Sequence, residues 1–594
     1  MTSRNAAWKR WYMDATERVD RRRGWSRLPK PLALLTLMGL RMRLRRDNLY
    51  DTSGVTLPWA PSPLPAGPRP LTRATDGTGN DRTHDSMGSS GSLFGRNVPP
   101  EETQPYKVLE PNPRRVSVEL LTRDKFQPAT TLNVLAAAWL QFQVHDWFSH
   151  GTNEPDNPWL VDLDSSDPWP QHPMQIPRTH QAAPTTDGKP PTYANTETHW
   201  WDASQLYGSS LEFQKMIRTN QGGKLLLSPR GLVPFDPSSM RALAGVNGNW
   251  WLGLAMFHTI FMREHNAICD RLASAHPDWD DDALFEHARL VNAALIAKIH
   301  TVEWTTALLG DSIMQTGMRA NWWGFLGERF SRHFGRVSTS EEVSGIPGSQ
   351  TWLHGAPYAL TEEFVAVYRM HPLIPDEFSL RSASDNHDIA SHSFPEISGT
   401  QTHLVLNAVE MPDLIYSFAT SNPGAIVLNN FPKGLQHFSK ADGSIIDLAA
   451  TDILRSRERG VPRYNEFRRK FHLTPAERFE DFSSDPAVVT KLRSIYDDPE
   501  DVDLMIGLYA EAPPQGFAFS DTAFRVFILM ASRRLKSDRF YTYDFRPEVY
   551  SDEGMQWIAD NTMGTVLARN FPELASHLEG VKNAFAPWRT VGQV

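Results

Sequence analysis

Cysteine is almost absent from this sequence of 594 residues, which contains only Cys269. A single cysteine excludes a disulfide framework and any zinc cluster built on cysteine ligands. A reducing compartment fits this composition, and we expect an intracellular, cytoplasmic protein. Three common motifs are missing as well: a Gly-x-Gly-x-x-Gly turn after a strand, a phosphate-binding loop ending in Gly-Lys-Ser/Thr, and a Gly-x-Ser-x-Gly elbow. The sequence therefore gives no sign of a dinucleotide-binding domain, a P-loop NTPase or an α/β-hydrolase.

Long apolar runs are also absent. Residues 31–40 form an apolar run that is too short to span a bilayer. The run lies too far from the start of the chain, behind too many charges, for an ordinary secretory signal. No signal peptide or transmembrane helix is therefore predicted.

Positively charged residues outnumber negatively charged ones only at the start of the chain. Residues 1–50 carry 13 Lys/Arg and four Asp/Glu, a net charge of +9, against −18 in the remainder. This asymmetry predicts a basic N-terminal helical arm, with residues 51–594 as one domain, rather than a protein that binds nucleic acid. Two interpretations of the arm stay open. Residues 1–46 could make peripheral membrane contact through an amphipathic segment, or pack on the body with a solvated basic face.

Aromatic and apolar residues, in contrast, are plentiful. The hydrophobic fraction is 40%, the aromatic fraction is 11%, and there are 19 Trp and 30 Phe. This composition can form a large buried core. It also favours a wide apolar interior that encloses a planar or apolar ligand.

Helical periodicity is strong in four long segments, and few helix breakers interrupt it. These segments cover residues 131–147, 250–271, 281–309 and 520–536. Ser520 is the expected N-cap of the last segment, because its hydroxyl can accept from a free amide of the first turn.

A shorter helical segment ends in Tyr368-Arg369-Met370-His371-Pro372. Pro372 disfavours helical geometry at the residue before it, so His371 should lie near the helix end. Tyr368 and His371 are three apart, which predicts that their side chains leave one helix face a turn apart. Two interpretations stay open at this point: an iron-ligand histidine beside a redox-active tyrosine, or an ordinary core tyrosine and histidine.

Three further clusters have a chemical and a structural interpretation. Gln141 and His145 share a helix face, and we prefer His145 as a catalytic histidine over a metal site with His150. The loop Thr198-His199-Trp200-Trp201-Asp202-Ala203-Ser204 offers hard oxygen ligands for calcium, which Asp146 would complete, although such residues usually cap turns. Arg533 and Arg534 end a helix, where arginine usually complements the dipole, but an inward arginine would bind a carboxylate.

Taken together, these motifs resemble the animal haem peroxidase and cyclooxygenase superfamily, and within it the fatty-acid α-dioxygenases. The resemblance runs in consistent order from about residue 31 to the C-terminus. It includes His145-Asp146-Trp147, Arg263-Glu264-His265-Asn266 and Tyr368-Arg369-Met370-His371. Two departures concern Pro372, where plant α-dioxygenases carry Ser, and Phe257-His258-Thr259, which is closer to general peroxidases.

The resemblance implies a mainly α-helical haem-peroxidase fold around one non-covalent b-type haem and one calcium ion. It assigns His371 as the proximal iron ligand, with Tyr368, His145 and Gln141 as catalytic residues. Substrate-carboxylate binding is implied for His300 and Arg534, and the neighbouring Arg533 could exchange roles with Arg534. The implied calcium ligands are Asp146, Thr198, Trp200 through its carbonyl, Asp202 and Ser204.

The implied activity is oxygenation of a long-chain fatty acid at its α-carbon by a monomeric enzyme. The expected partners are the fatty acid, dioxygen and an activating peroxide, and the product is a 2-hydroperoxy acid that can decarboxylate to an aldehyde one carbon shorter. Two alternatives stay open: a haem peroxidase that oxidises small donors, and a dioxygenase that acts at an internal allylic carbon.

Overall fold

The structure, a computed structural model, describes residues 3–59, 70–182, 189–246, 248–439 and 443–592. About 48% of the chain is helical, and the few strands are short. The predicted mainly α architecture is confirmed. Among the described residues, no helix combines the length and the apolar character that crossing a membrane would require.

The helices fall into two groups by length. The helices of eight or more residues are Ser3–Arg23, Lys30–Asp47, Val134–Trp147, Leu252–Ala275, Asp281–Ile299, Ser312–Trp323, Gly327–Phe334, Met411–Thr420, Leu448–Glu458, Pro486–Ile495, Asp521–Ser537, Asp552–Asp560 and Met563–Asn570. The shorter α-helices are Pro113–Val116, Ser204–Tyr207, Leu211–Met216, Thr305–Leu308, Glu341–Ser344, Glu362–Val367, Thr402–Ala408, Lys433–Gln436, Tyr464–Lys470, Leu504–Ala510, Pro547–Tyr550 and Ala575–Leu578.

The strands form three separate two-stranded antiparallel sheets. The pairs are Glu154–Val161 with Met174–Arg178, Glu377–Arg381 with Asp388–Ser393, and Phe438–Ser439 with Ile445–Ile446. These pairs contribute none of the candidate site residues described below, which lie on helices and on the segments that connect them.

The four long helices predicted from periodicity are present, with shifted ends. The first begins at Val134, because the side chain of Asn133 caps it by accepting from the amide of Ala136 at 3.2 Å. The last begins after Ser520, whose hydroxyl accepts from the amide of Ala523 at 3.2 Å, which confirms that cap.

The segment predicted over 281–309 is interrupted by a π-helical turn, His300–Trp304. In this turn the amide of Thr305 donates to the carbonyl of His300, five residues back. Single π turns of this kind are often found at functional sites, because the extra residue alters where neighbouring side chains point.

The predicted helical relation between Tyr368 and His371 is wrong. The helix Glu362–Val367 ends before Tyr368, and His371 starts a separate 3-10 turn, His371–Leu373. A continued helix would need the amide of residue 372 to donate to the Tyr368 carbonyl, and Pro372 has no N–H. The amide of Met370 donates to that carbonyl instead, at 2.9 Å. The two side chains consequently face different neighbours.

The N-terminal helices Ser3–Arg23 and Lys30–Asp47 form a hairpin that packs on the body. Trp25, between them, is 1% exposed and donates its indole N–H to Asp521 at 2.9 Å. Arg525 donates to Asp20 at 2.7 Å, and Arg45 pairs with Glu341 at 2.7 Å. The inner face of the basic segment is therefore part of the folded body, as one of the two interpretations of the arm predicted.

Buried neutral histidines make the fold sensitive to acid. Burial lowers the pKa of His150, His199 and His265 to about 4. Because these values lie below the unfolded value of about 6.5, their stabilising effect is complete above pH 6.5 and is lost as the pH falls towards 4. Each group then costs about 2 kcal/mol of stability at pH 5.

We expect the free energy of unfolding, measured by urea titration, to fall markedly between pH 7 and pH 5. His265→Asn should reduce that difference, since Asn does not titrate, even though it also lowers stability at pH 7. His180→Asn, at a position where the side chain is 68% exposed, is the matched control and should leave the difference unchanged. An unaltered pH dependence in His265→Asn would contradict the assignment.

Candidate active site

The site begins at the C-terminal end of the helix Val134–Trp147, which carries Gln141 and His145 on one face. The side-chain amide of Gln141 accepts from the Trp251 indole through its oxygen at 2.8 Å and donates through its nitrogen to the Asn249 carbonyl at 3.2 Å. His145 lies beside Asn249 as well and is 3% exposed. Burial lowers the pKa of His145 to about 3, with a smaller contribution from nearby His258, so the imidazole is neutral.

His371 is oriented by a carboxylate from a distant part of the chain. Its Nδ1 lies 2.8 Å from Oδ2 of Asp452, which is completely buried on the helix Leu448–Glu458. Partial burial lowers the pKa of His371, whose side chain stays 30% exposed, and the nearby Arg369 lowers it further. A neutral imidazole with Nδ1 held against a carboxylate presents Nε2 as the ligand nitrogen, which is the usual arrangement of a metal-binding histidine.

The surroundings of His371 also fit the anionic groups of a haem. Arg369, Arg455 and Arg459 form a buried cluster in which mutual repulsion adds to desolvation. Burial and this repulsion lower the pKa of Arg369 to about 9 and that of Arg455 to about 10. Haem propionates would relieve the repulsion, so His145, His371 and the arginine cluster together suit a haem.

Tyr368 lies in an aromatic pocket and is 5% exposed. Its ring centroid is 4.5 Å from those of Phe364 and Phe527 and 5.0 Å from that of Trp147. Burial raises the pKa of Tyr368, so the phenol stays protonated at neutral pH. Its hydroxyl makes no hydrogen bond within the described ranges, which leaves the O–H bond available for hydrogen-atom transfer.

Trp147 links this tyrosine to His300 and Arg534. The guanidinium carbon of Arg534 lies 4.1 Å from the ring centroid of Trp147 and 4.4 Å from that of Trp201. The ring of His300 meets the same two indoles edge-on, at 5.2 and 5.1 Å. One aromatic wall therefore places the histidine, the arginine and the tyrosine around a common space.

The protonation of His300 is fixed by its neighbours. The Trp139 indole, which can only donate, donates to Nδ1 of His300 at 3.2 Å. Burial lowers the pKa of His300 well below its usual value, and Arg534 lowers it further. The ring is therefore neutral with its proton on Nε2, which can donate to an anion.

The two neighbouring arginines have different environments. Arg533 donates to the carbonyls of Ala356 and Pro357 at 2.9 and 2.8 Å and clamps that loop. Arg534 is 1% exposed, and its Nε and Nη2 have no hydrogen-bond partner among the described residues. A buried cation with free donors is costly unless an anion binds, so the geometry favours Arg534 over Arg533 as the carboxylate receptor.

The predicted calcium ligands converge at the end of the same helix. Asp146 accepts from the amide of Ser204 at 2.7 Å, and its carbonyl accepts from the Ser204 hydroxyl at 3.1 Å. One oxygen of Asp146, both oxygens of Asp202 and the Thr198 hydroxyl are buried without a hydrogen-bond partner. Burial raises the pKa of both carboxyls, and the Asp202 carboxylate raises that of Asp146 further. The Trp200 carbonyl accepts no hydrogen bond in the described part of the chain.

These orphaned oxygens fit a hard cation such as calcium. The described residues contain no cluster of three His, Cys, Asp or Glu, because this site has only two carboxylates and otherwise uses hydroxyl and carbonyl oxygens. His150, the rejected metal ligand, instead contacts Glu362 at 3.0 Å and stacks on Phe94 at 4.4 Å.

A largely apolar cavity, here called the Phe527 cavity, extends from the exposed Phe325 to Phe527, and the charged residues Arg41, Glu341 and Glu342 also line it. Its lining includes Leu34, Met38, Thr305, Met318, Phe325 and Phe527. At its inner end Phe527 stacks on Tyr368, and the Thr305 hydroxyl donates to the His300 carbonyl at 2.8 Å. An extended apolar chain bound here would end near both residues.

Sequence reasoning missed Trp147 as the centre of the aromatic wall and Asp452 as the partner of His371. Trp147 stands next to two residues that were singled out, but a buried tryptophan has no distinguishing local pattern. Asp452 lies 81 positions after His371 in a charged helix, and no spacing rule connects them.

The comparisons with known proteins agree with this geometry. Residues 72–585 match the animal haem peroxidase family. "Alpha-dioxygenase PIOX" from Oryza sativa subsp. japonica is 36% identical over 96% of this chain and 94% of its own length, and the Pisum sativum protein of that name is 37% identical over 96% and 90%. A crystal structure of Oryza sativa fatty acid alpha-dioxygenase with palmitic acid superposes with a TM-score of 0.91 at 33% identity, covering 100% of this chain and 98% of that chain.

We expect bound calcium to stabilise the protein, because it would satisfy oxygens that are otherwise buried and unpaired. Ligand bound at 100 times its dissociation constant contributes about 2.7 kcal/mol. Excess EGTA should therefore lower the unfolding temperature, and calcium but not magnesium should restore it.

Asp202→Asn should abolish the response to EGTA. Asp388→Asn, at a carboxylate that is 79% exposed, is the control and should respond like the unaltered protein. The site is excluded if the chelator leaves the unfolding temperature of the unaltered protein where it was.

Proposed function

The chain belongs to the animal haem peroxidase family and, within it, to the fatty-acid α-dioxygenases, and on that premise we propose which residues carry out the reaction. The protein is an oxidoreductase that adds dioxygen to a fatty acid, and its family binds haem. The observation that carries the residue assignment is the shared wall of Trp147 and Trp201, which brings Arg534, His300 and Tyr368 together.

One non-covalent b-type haem would be held by Nε2 of His371, with the arginine cluster beside its propionates. Bound haem supplies the oxidising equivalent that converts Tyr368 to its radical form. Asp452 holds the other nitrogen of His371 and so fixes the ring orientation. His145 and Gln141 would line the distal side of that haem, where a peroxide would activate the enzyme.

His145 is the acid–base group for that peroxide. Because its pKa is about 3, it is neutral at physiological pH and can accept a proton from one peroxide oxygen and return it to the other. Gln141, held by Trp251 and Asn249, keeps the adjacent helix face polar and ordered.

The substrate is a long-chain fatty acid, in keeping with the palmitic acid present in a crystal structure of Oryza sativa fatty acid alpha-dioxygenase. Its carboxylate accepts from Nε2 of His300 and from the free Nε and Nη2 donors of Arg534. Its chain occupies the Phe527 cavity. With the carboxylate held on the wall of Trp147, the neighbouring carbon is the α-carbon, and Tyr368 packs against the edge of the same ring.

The reaction balances without a further oxidant. The Tyr368 radical takes a hydrogen atom from the α-carbon, which gives the phenol and a carbon radical, and dioxygen adds to that carbon. Tyr368 returns its hydrogen atom to the resulting peroxyl radical, so the 2-hydroperoxy acid forms and the tyrosine radical is restored. The product can lose carbon dioxide and water to give an aldehyde one carbon shorter.

One calcium ion is proposed at Asp146, Thr198, Asp202, Ser204 and the Trp200 carbonyl. Since Asp146 directly follows His145, the ion would fix the helix end that carries the distal histidine.

The reaction is tested with saturated palmitate, oxygen and a trace of peroxide. We expect oxygen uptake, 2-hydroperoxypalmitate and a C15 aldehyde. Tyr368→Phe should lower kcat and kcat/KM alike by about 1,000-fold while haem absorbance stays intact, because the hydroxyl acts only in the chemical step. Full activity in Tyr368→Phe would exclude the radical mechanism. Turnover of small donors without palmitate oxidation would favour a peroxidase, and a requirement for polyunsaturated acids would favour allylic oxygenation.

The carboxylate receptor is tested by comparing the two neighbouring arginines. Arg534→Gln should raise KM for palmitate by about 10- to 150-fold, the effect of losing a charged hydrogen bond, with the haem spectrum unchanged. Arg533→Gln should change stability more than KM, because Arg533 donates to loop carbonyls. The assignment is reversed if Arg533→Gln produces the larger rise in KM.

A further inference from the structure

Eight large apolar side chains near the opening of the Phe527 cavity are 43–63% exposed. We call them the docking face: Trp8, Trp11, Leu32, Leu35, Phe325, Leu326, Phe334 and Val337. The first four belong to the N-terminal hairpin and the last four to residues 325–337, which include the helix Gly327–Phe334. That helix has no buried residue. Soluble proteins seldom expose so many large apolar groups in neighbouring elements unless they bind something.

The two halves of the docking face meet at the cavity. Trp8 stacks on Tyr12 at 5.7 Å, and the Tyr12 hydroxyl donates to the Leu35 carbonyl, which joins the outer faces of the two hairpin helices. Leu34, beside Leu35, lines the cavity together with the exposed Phe325. The cavity therefore opens between the hairpin and residues 325–337.

Unpaired positive charge borders the same hairpin. Arg10, Arg22, Arg23, Arg27 and Lys30 are exposed and form no ion pair with any described residue. On the helix Ser3–Arg23, Trp8, Trp11 and Arg22 fall on one face, opposite the buried Met13, Thr16 and Asp20. Tryptophan and arginine on one outer face are typical of a helix that lies in the plane of a membrane interface.

We propose that the docking face binds an anionic lipid surface and that the fatty acid enters the Phe527 cavity directly from it. The binding is peripheral, since no described helix can cross a bilayer. The apolar side chains contact the acyl boundary, and the unpaired arginines contact anionic headgroups. The entry step rests on the proposed function, because it assigns the cavity to the acyl chain, whereas the binding step does not.

Charge complementarity favours lipid over a second copy of the chain as the occupant. Two identical hairpins placed face to face would bring their unpaired arginines together, and like charges repel across an interface. A bilayer that contains phosphatidylglycerol supplies the opposite charge and an apolar layer at once.

The binding step is tested by flotation of the full haem-loaded enzyme with phosphatidylcholine vesicles, with and without 30% phosphatidylglycerol. We expect flotation with the anionic vesicles that weakens as salt is raised. R22Q/R23Q/R27Q should lower partitioning by about 100-fold, since each arginine near an anionic surface raises membrane partitioning by about fivefold. W8S/W11S should lower it by about tenfold or more. L160S/L211S, at side chains that are 50% and 57% exposed elsewhere, is the matched control and should float normally.

The entry step is tested by supplying palmitate either within the anionic vesicles or on cyclodextrin. W8S/W11S should lose turnover of the vesicle-borne substrate only, because cyclodextrin delivers it without a membrane. Absence of flotation by the unaltered enzyme, or equal flotation by W8S/W11S, overturns the proposal. An enzyme that floats but oxidises palmitate from neither source would refute the proposed function and leave the lipid binding standing.

Discussion

The packing of Trp147 against Arg534, His300 and Tyr368 is the contact on which the rest of the site depends. Trp147 is completely buried at the last position of its helix, where the chain turns to an extended conformation at Phe148. Successive residues of a helix point about 100° apart, so His145, Asp146 and Trp147 serve three different sites from one turn. The histidine belongs to the proposed distal site, the aspartate to the proposed calcium site, and the tryptophan to the wall that contacts Arg534 and His300. A displacement of this helix end would disturb all three together.

Exclusion of water gives these groups their chemistry. Burial lowers the pKa of His145 to about 3 and that of His300 well below its usual value, and partial burial lowers that of His371, so all three imidazoles are neutral at physiological pH. Neutrality is what an acid–base group, an iron ligand and a hydrogen-bond donor beside Arg534 require. The same burial leaves Arg534 with free donors in an aromatic cage, where cation–π contacts offset part of the desolvation cost. In the proposed function the carboxylate of the substrate would supply the remainder.

Local sequence patterns predicted much of the scaffold and less of the geometry. The four long helices and the Ser520 cap follow from periodicity and a hydroxyl at the right position, because both are properties of neighbouring residues. The position at which the helix ends before Tyr368 did not follow from periodicity, since it depends on the missing N–H of Pro372 and on where the chain then packs. The candidate catalytic residues were assigned through resemblance of whole motifs, because an isolated tyrosine and histidine also fit an ordinary core.

By itself the sequence determined the helical class, the absence of disulfides, the basic N-terminus and the set of residues whose chemistry suits iron, calcium and a carboxylate. Only the tertiary structure decided how these residues combine. It separated Arg534 from Arg533, joined Asp452 to His371 across 81 positions, and placed the hairpin at the opening of the Phe527 cavity. The physical reason is that hydrogen-bonding capacity and helical periodicity depend on residues that are close together in the sequence. Burial, and the pKa shifts and unpaired donors that come with it, arises from contacts between segments distant in the chain.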